Sequence, residues 1–486
     1  MTKSKVILLL KTFSSDEIKS FNDFLNSPYF NKNKTVCSLF SILKNLYPEF
    51  NEVKTDKGIL YKKLFTGKEY NEQVMKNLIS GLYKLCREFL ETESFRKDKH
   101  ERKLNLLKQL IPRNADQVYS GEVKNFEKEL GDLSELSEKS FYYLFQLEEL
   151  KISFHLERNQ QPKVFEKVMN SGEFLLLYFH LHLTKTISNL NVNKQTFNVE
   201  YKTNAPDQYF KNTDYKKFIS YLEKNEINFS EIFKLYYLRV MCNTDPFEES
   251  DYFEFKKLLL RNLNSLGRVE IYGLFNAAAA YCIRKIHSQN EKFIKELFDI
   301  SKTEIENGFY KFSENSPVTI MKFRNTCLPA LRLKEFEWVK NFVEEYKNDI
   351  IESDRENAVK IIYAQMSFEK GEYEEVLGLL SGLNPDQLYL KLDIRNLTLM
   401  SYIELDYTES ALSMIDSFRH YLSGNKSLSD AIIESNLRFV NSVNSYILMK
   451  ERVQTEKLSD LKNSLAPYIN EMRINWLIEK INKEMK

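Results

Sequence analysis

Apolar residues recur every three or four positions through most of the chain, the spacing of helices that bury one face. Near the N-terminus Ser14 and Glu17 stand three apart, as in a capping box where each side chain takes the other's free backbone amide. Ile18, Phe21, Phe24 and Leu25 then share one helical face, and Pro28 forces Ser27 out of helical geometry and ends the helix. The pattern predicts a second helix with Val36, Leu39, Phe40, Leu43 and Leu46 inward, a short piece over 59–65, and a long helix capped by Asn71 with Val74, Leu78, Leu82, Leu85 and Phe89 inward. A charge-rich stretch over 91–108 and then Pro112 mark a boundary. Beyond it helices are predicted over 141–154, 163–190, 229–240, 253–263 and 271–286, with loops near 191–214 and 243–246 and no period-two strand. The longest apolar run, 174–183, is far short of the ~20 residues that span a bilayer and reads as a buried helix. The alanine run 277–280 lets a neighbouring helix approach closely.

The C-terminal third repeats. Ser316 before Pro317, Ser353 with Glu356 three residues on, and Asn384 before Pro385 carry the chemistry of helix starts. Downstream of each, Glu335-Phe336-Glu337, Glu372-Tyr373-Glu374 and Asp406-Tyr407-Thr408 put an aromatic after an acid where a second helix opens, at spacings of 37 and 34. In the middle copy Ala364 lies nine before the aromatic, Phe368 five before it, Gly371 just ahead of the turn acid and Val376 three after. This pattern resembles the tetratricopeptide-like helical repeats, whose unit is a helix pair of about 34 residues. One good repeat and two degenerate ones cover residues 316 to about 422, with Lys334 and Leu405 standing where the middle copy has Gly371. The words Ser27-Pro28-Tyr29-Phe30-Asn31 are also similar to uncharacterised bacterial proteins that carry such repeats.

The resemblance implies an α-solenoid with a groove lined by the first helix of each pair, presenting Arg324, Arg332, Gln365, Phe368, Glu369, Arg395 and Tyr402 to a protein or peptide. Members that clamp a C-terminal carboxylate carry an Asn eight residues before the turn aromatic. Leu328, Gln365 and Leu399 stand there in this chain, so that mode of recognition is not implied.

Composition agrees with helices. Gly and Pro number only 13 and 10, well under the usual combined share of ~12%, so turn-dense β architectures are poorly supplied. Lys+Arg and Asp+Glu total 70 and 69 for a net charge of +1, which argues against a surface built throughout for nucleic acid or anionic membrane. The balance is uneven: residues 1–110 carry 21 basic and 13 acidic residues, net +8, leaving −7 on the rest. Five cysteines, an odd number with no close pair, indicate neither a disulfide framework nor a local zinc motif, and point to a reducing cytoplasm. No signal peptide is indicated by the short apolar run 6–10.

No phosphate loop, dinucleotide glycine pattern, kinase set or nucleophile elbow is present. His180 and His182 sit two apart on a predicted helix, where they point about 200° apart and cannot share a metal. Cys86 and Cys282 fall among apolar helix positions and read as small core residues. Lys54, Lys57, Lys62, Lys63 and Lys68 around the short helix offer phosphate contacts, against the plainer reading of a solvated lysine-rich face.

The sequence therefore predicts an all-α protein: a basic helical N-terminal unit (1–110), an irregular helical-pair region (113–310), and tetratricopeptide-like repeats with C-terminal capping helices (316–486). The expected function is a cytoplasmic, non-catalytic scaffold that binds a protein or peptide, without metal or cofactor and without membrane contact. A nucleic-acid-associated regulator contacting phosphates through the N-terminal unit is the alternative.

Overall fold

The computed structural model describes residues 2–131, 136–196, 203–227, 229–242, 248–287, 290–425, 427–452, 455–469 and 471–485. Among these the chain is all-α: helices follow one another from Lys5–Leu10 to Met472–Glu484, and the only β pairing consists of two isolated bridges, Leu136 with Leu266 and Val318 with Ile350. Contacts divide it into two compact units, one of Met1–Gly131 and Gln146–Val168, the other of Asp132–Phe145 and Met169–Lys486.

In the first unit Ser14 and Glu17 make the expected capping box and Asn71 caps the long helix Glu72–Lys97. Its core is a knot of phenylalanines: Phe21 packs edge-on against Phe40 at 4.9 Å and against Phe89 at 5.2 Å, and Phe24 stacks on Phe30 at 4.1 Å. Met75 rather than Val74 takes the first inward position of the long helix, leaving Val74 exposed. The helix ends at Asp98, which also caps Lys99–Leu110, so the chain breaks here, ahead of Pro112. Farther on, Tyr119 stacks on Phe154 at 4.1 Å and Arg158 pairs with Asp116 at 2.7 Å.

In the second unit the region expected to be a loop over 191–214 is partly helical. The helix Phe165–Thr196 runs into it, and Asn204 caps Ala205–Asn212 with Pro206 in its first turn. The loop expected over 243–246 lies outside the described residues. Within 174–183 Leu177, His180, Leu181 and Leu183 are buried, while Leu175, Leu176 and Phe179 are exposed. Ala277 and Ala278 are buried where Arg268–His287 packs along Lys292–Glu306. An ion pair of Lys322 with buried Glu304 at 2.6 Å ties that helix pair to the helix Ile320–Arg332, and Lys322 also donates to Asn276 at 2.8 Å.

The three C-terminal pairs are Ile320–Arg332 with Phe336–Tyr346, Glu352–Lys370 with Tyr373–Leu380, and Leu388–Glu404 with Thr408–Gly424. The second helices open where the aromatic words predicted, but the first helices do not start at Ser316, Ser353 or Asn384. Thr319 caps the first, and the other two begin after Ile351 and Gln387 without a side-chain cap. Polar residues before proline supply capping chemistry wherever they fall, and packing of the apolar faces chooses the start.

One device turns the chain in all three pairs. Lys334, Gly371 and Asp406 are left-handed, with φ of 60°, 82° and 56°. Each donates its amide to the carbonyl three back, and the next residue donates to the carbonyl five back: Glu335 to Ala330, Glu372 to Ser367 and Tyr407 to Tyr402, each at 2.9 Å. This is the Schellman closure of a helix end. Tyr407 therefore corresponds to Glu335 and Glu372, one place from the register of the aromatic words, and the structural spacings are 37 and 35. The same two bonds recur at Asn114, Asn159, Glu226 and Gly308, all with positive φ.

Only glycine adopts this backbone without strain, so Gly371→Val is expected to destabilise by about 1 kcal/mol or more, and Lys334→Gly to stabilise by about 0.5–1 kcal/mol. Urea unfolding midpoints of the two variants moving in opposite directions check this assignment of the turns.

Candidate functional site

The helices of these three pairs carry a partly buried polar cluster. Arg324, from Ile320–Arg332, forks onto Asp393 of Leu388–Glu404, with Nη2 donating to Oδ1 at 2.7 Å and Nε to Oδ2. Burial alone would lower the Arg324 guanidinium, but Asp393 outweighs it and holds the group above its usual range. Arg473, from the last helix, lies near Asp393 and donates to Asn436 Oδ1 at 2.8 Å, which Asn396 also meets at 3.1 Å. Burial lowers Arg473 despite the Asp393 and Glu471 carboxylates. The last helix adds Trp476 Nε1 and Lys480 Nζ, donating to Glu404 at 2.7 and 2.8 Å.

This arrangement sorts the expected groove residues. Arg324 is tied into the cluster. Gln365 is buried and donates to Glu369 at 3.3 Å, and Phe368 is buried edge-on against Tyr373 at 5.3 Å, so both pack between elements of the array. Arg395 lies over the Tyr421 ring at 4.0 Å and donates to the Lys391 carbonyl, apart from the others. Tyr402 lines a separate cavity of about 220 Å³ with Asp406, Tyr446 and Lys450. Arg332 and Glu369 remain as a half-buried polar strip: burial lowers Arg332 although Glu291 and Glu369 are near, and burial raises Glu369 although Gln365 and Arg332 oppose it.

The N-terminal lysines stand differently. Lys54, Lys62, Lys63 and Lys68 are exposed and Lys57 half-exposed around Lys57–Leu64, and none forms an ion pair among the described residues. Lys68 lies over the Phe65 ring at 5.8 Å.

A second polar cluster has no counterpart in the sequence reading. Buried Glu270 accepts from Tyr236 Oη at 2.6 Å and pairs with Lys185 at 2.7 Å. Lys185 also meets Glu138 at 2.9 Å, and Glu138 meets His182 Nδ1 at 2.8 Å. Burial would raise Glu138, yet Lys185 and His182 together hold it below its usual range; burial and then the Glu270 charge push Tyr236 well up. These residues border an open depression of about 440 Å³, lined also by Ser137, Lys139, Tyr142 and Tyr178. They come from four helices distant in sequence, which is why spacing gave no signal. The depression's carboxylates are engaged with Lys185, and the cluster pins those helices together.

His180 and His182 do point apart, as helical geometry requires: His180 is buried, stacked on Phe233 at 3.7 Å and bonded to the Phe233 carbonyl at 2.9 Å. Among the described residues no three His, Cys, Asp or Glu side chains are placed to hold a metal ion, and no helix is long and apolar enough to cross a membrane. All five cysteines are free thiols, with Cys86 and Cys282 buried. The chain matches no protein-family model, no curated protein and no solved structure.

Two outcomes follow from the buried charges. Asp393→Asn leaves Arg324 without its carboxylate and is expected to cost about 2 kcal/mol or more in urea unfolding. Burial pushes His180 down from 6.5 to about 3. The unfolded chain therefore binds this proton first, so its stabilisation is complete above pH 6.5 and falls with decreasing pH toward 3, by up to ~1.4 kcal/mol per pH unit. His180→Phe is expected to flatten that acid limb, read as the slope of unfolding free energy against pH between 4 and 7.

Proposed function

We propose that the chain is a non-catalytic interaction scaffold of the cytoplasm whose tetratricopeptide-like array, an α-solenoid, binds a protein or peptide. The observation that carries this reading is the recurrence of one turn at Lys334, Gly371 and Asp406 with spacings of 37 and 35, close to the ~34-residue repeat of that architecture. Stacked pairs present a continuous row of first helices, and rows of this kind suit extended partners. Within the row Arg332 and Glu369 are the polar groups not consumed by Asp393 or by aromatic packing, so the reading assigns them the partner's charged contacts. Arg is a frequent anchor at such interfaces because its stem packs while its fork bonds.

A second reading rests on Lys54, Lys57, Lys62, Lys63 and Lys68, which form no ion pair among the described residues: cations at an open surface suit phosphates, and the N-terminal unit then contacts nucleic acid.

Photo-crosslinking separates the two. With a crosslinking residue at position 369, the scaffold reading expects one defined protein adduct, insensitive to nuclease, reduced at least tenfold by Arg332→Glu. With the crosslinker at position 63, the alternative expects nucleic-acid adducts that vanish between 50 and 200 mM salt, as counterion release dictates. Adducts only at position 63 would reverse the order, and turnover of a substrate abolished by a single side-chain change would overturn both.

A further inference from the structure

The last helix, Met472–Glu484, makes contacts on two flanks. On one, Ile474, Leu477, Ile478 and Ile481 recur at the spacing of a single helical face and are buried in the core beside Asp430–Glu451 and Thr455–Leu465. A terminal helix ordinarily turns polar residues to water on its other sides. This one carries a second stripe: Arg473, Trp476 and Lys480 stand at offsets of zero, three and seven, which also share a face.

The second stripe reaches beyond those two helices. Trp476 Nε1 and Lys480 Nζ both donate to Glu404, the last residue of Leu388–Glu404, and the Glu404 and Lys480 side chains are only 11% and 15% exposed. Arg473 donates to Asn436 and lies over the Phe439 ring at 5.6 Å, and Trp476 stands edge-on to the same ring at 6.2 Å. Glu479 lies near Glu369, where its charge adds to burial in raising that carboxyl while Gln365, Arg332 and Lys334 oppose. A partner that takes the charged contacts of Arg332 and Glu369 therefore has to share that strip with the last helix.

On the scaffold reading, on which this rests, we propose that Met472–Glu484 is an autoinhibitory occupant of the docking site, and that the partner is an amphipathic helix of the same chemistry. Its apolar face is flanked by a base, then a tryptophan three residues on and a second base at seven. The seat selects this partner because it has two parts. One is the apolar bed that holds Ile474, Leu477, Ile478 and Ile481; the other is Glu404, a largely buried carboxylate that is satisfied only when an N–H and a cation arrive together. Helices that lie in such seats are recognised through anchors at these offsets. Covalent attachment keeps the occupant at high local concentration, so a partner binds only the fraction of molecules in which the helix has left, and its apparent affinity falls by that fraction.

The probe is a fluorescein-labelled peptide of residues 471–486, titrated into the full chain and read by anisotropy. Trp476→Ala with Lys480→Ala in the chain removes both donors to Glu404 and loosens the occupant. The peptide is expected to bind this double variant at least tenfold more tightly than the unaltered chain, and to lose at least tenfold when Glu404→Lys is added. Equal binding to the first two chains, or binding indifferent to Glu404→Lys, overturns the proposal. Hydrogen exchange of the unaltered chain needs no variant: amides of 472–484 are expected to exchange at least tenfold faster than those of 430–451, and exchange of both at one rate makes the helix a fixed cap and overturns the proposal. Photo-crosslinking at position 369 keeps the two readings apart. Partner adducts raised at least tenfold by the double variant support both. Adducts of unchanged yield overturn the autoinhibition and leave the scaffold standing, whereas peptide binding with no adduct in either chain supports the occupied seat and removes the scaffold.

Discussion

A helix that stops leaves its last carbonyl groups without partners, and a protein built of short helices meets that demand at every turn. Here one solution serves repeatedly: a left-handed residue swings the chain back so that two amides reach the orphan carbonyls. Seven such closures occur among the described residues, yet only Gly308 and Gly371 use glycine. Asn114, Asn159, Glu226, Lys334 and Asp406 accept the strain of the left-handed backbone. Asn and Asp tolerate that region best; at Glu226 and Lys334 the packing of the joined helices enforces it. The helix pairs, and so the array, rest on these residues.

Charge is handled with the same economy. Arg324 and Arg473 gather at Asp393, Lys185 bridges Glu138 and Glu270, and Lys322 closes on Glu304. A buried charge without a partner is costly, and each of these clusters joins side chains from different helices, so each holds an arrangement of helices in register. Arg324, Gln365 and Phe368 are engaged within the C-terminal helix pairs, so the groove residues expected from the sequence do not form one open surface.

Surfaces left unsatisfied then carry the functional argument. The N-terminal unit exposes Lys54, Lys62, Lys63 and Lys68 around Lys57–Leu64, while some of its other surface charges sit in i,i+3 or i,i+4 pairs such as Lys76 with Glu72. The helix Phe165–Thr196 exposes Leu175, Leu176 and Phe179.

Helical class, the capping box at Ser14, the cap at Asn71, the core cysteines and the opposed directions of His180 and His182 were legible in the sequence, because they depend on residues within a turn or two of one another. The recurring turn was legible through its aromatic words, though one residue out of register at Tyr407, since hydrogen bonds to Tyr402, and not the ring, define it. The closures at Lys334 and Asp406 were hidden because a search for glycine passes over them. The starts at Thr319, after Ile351 and after Gln387 were missed because packing, not capping chemistry, selects them. The clusters at Asp393 and Glu270, and the exposure of Leu176 and Phe179, belong to tertiary structure alone: periodicity tells that a face is apolar, but whether another helix covers it, and which distant carboxylate meets a given arginine, is decided only when the helices pack.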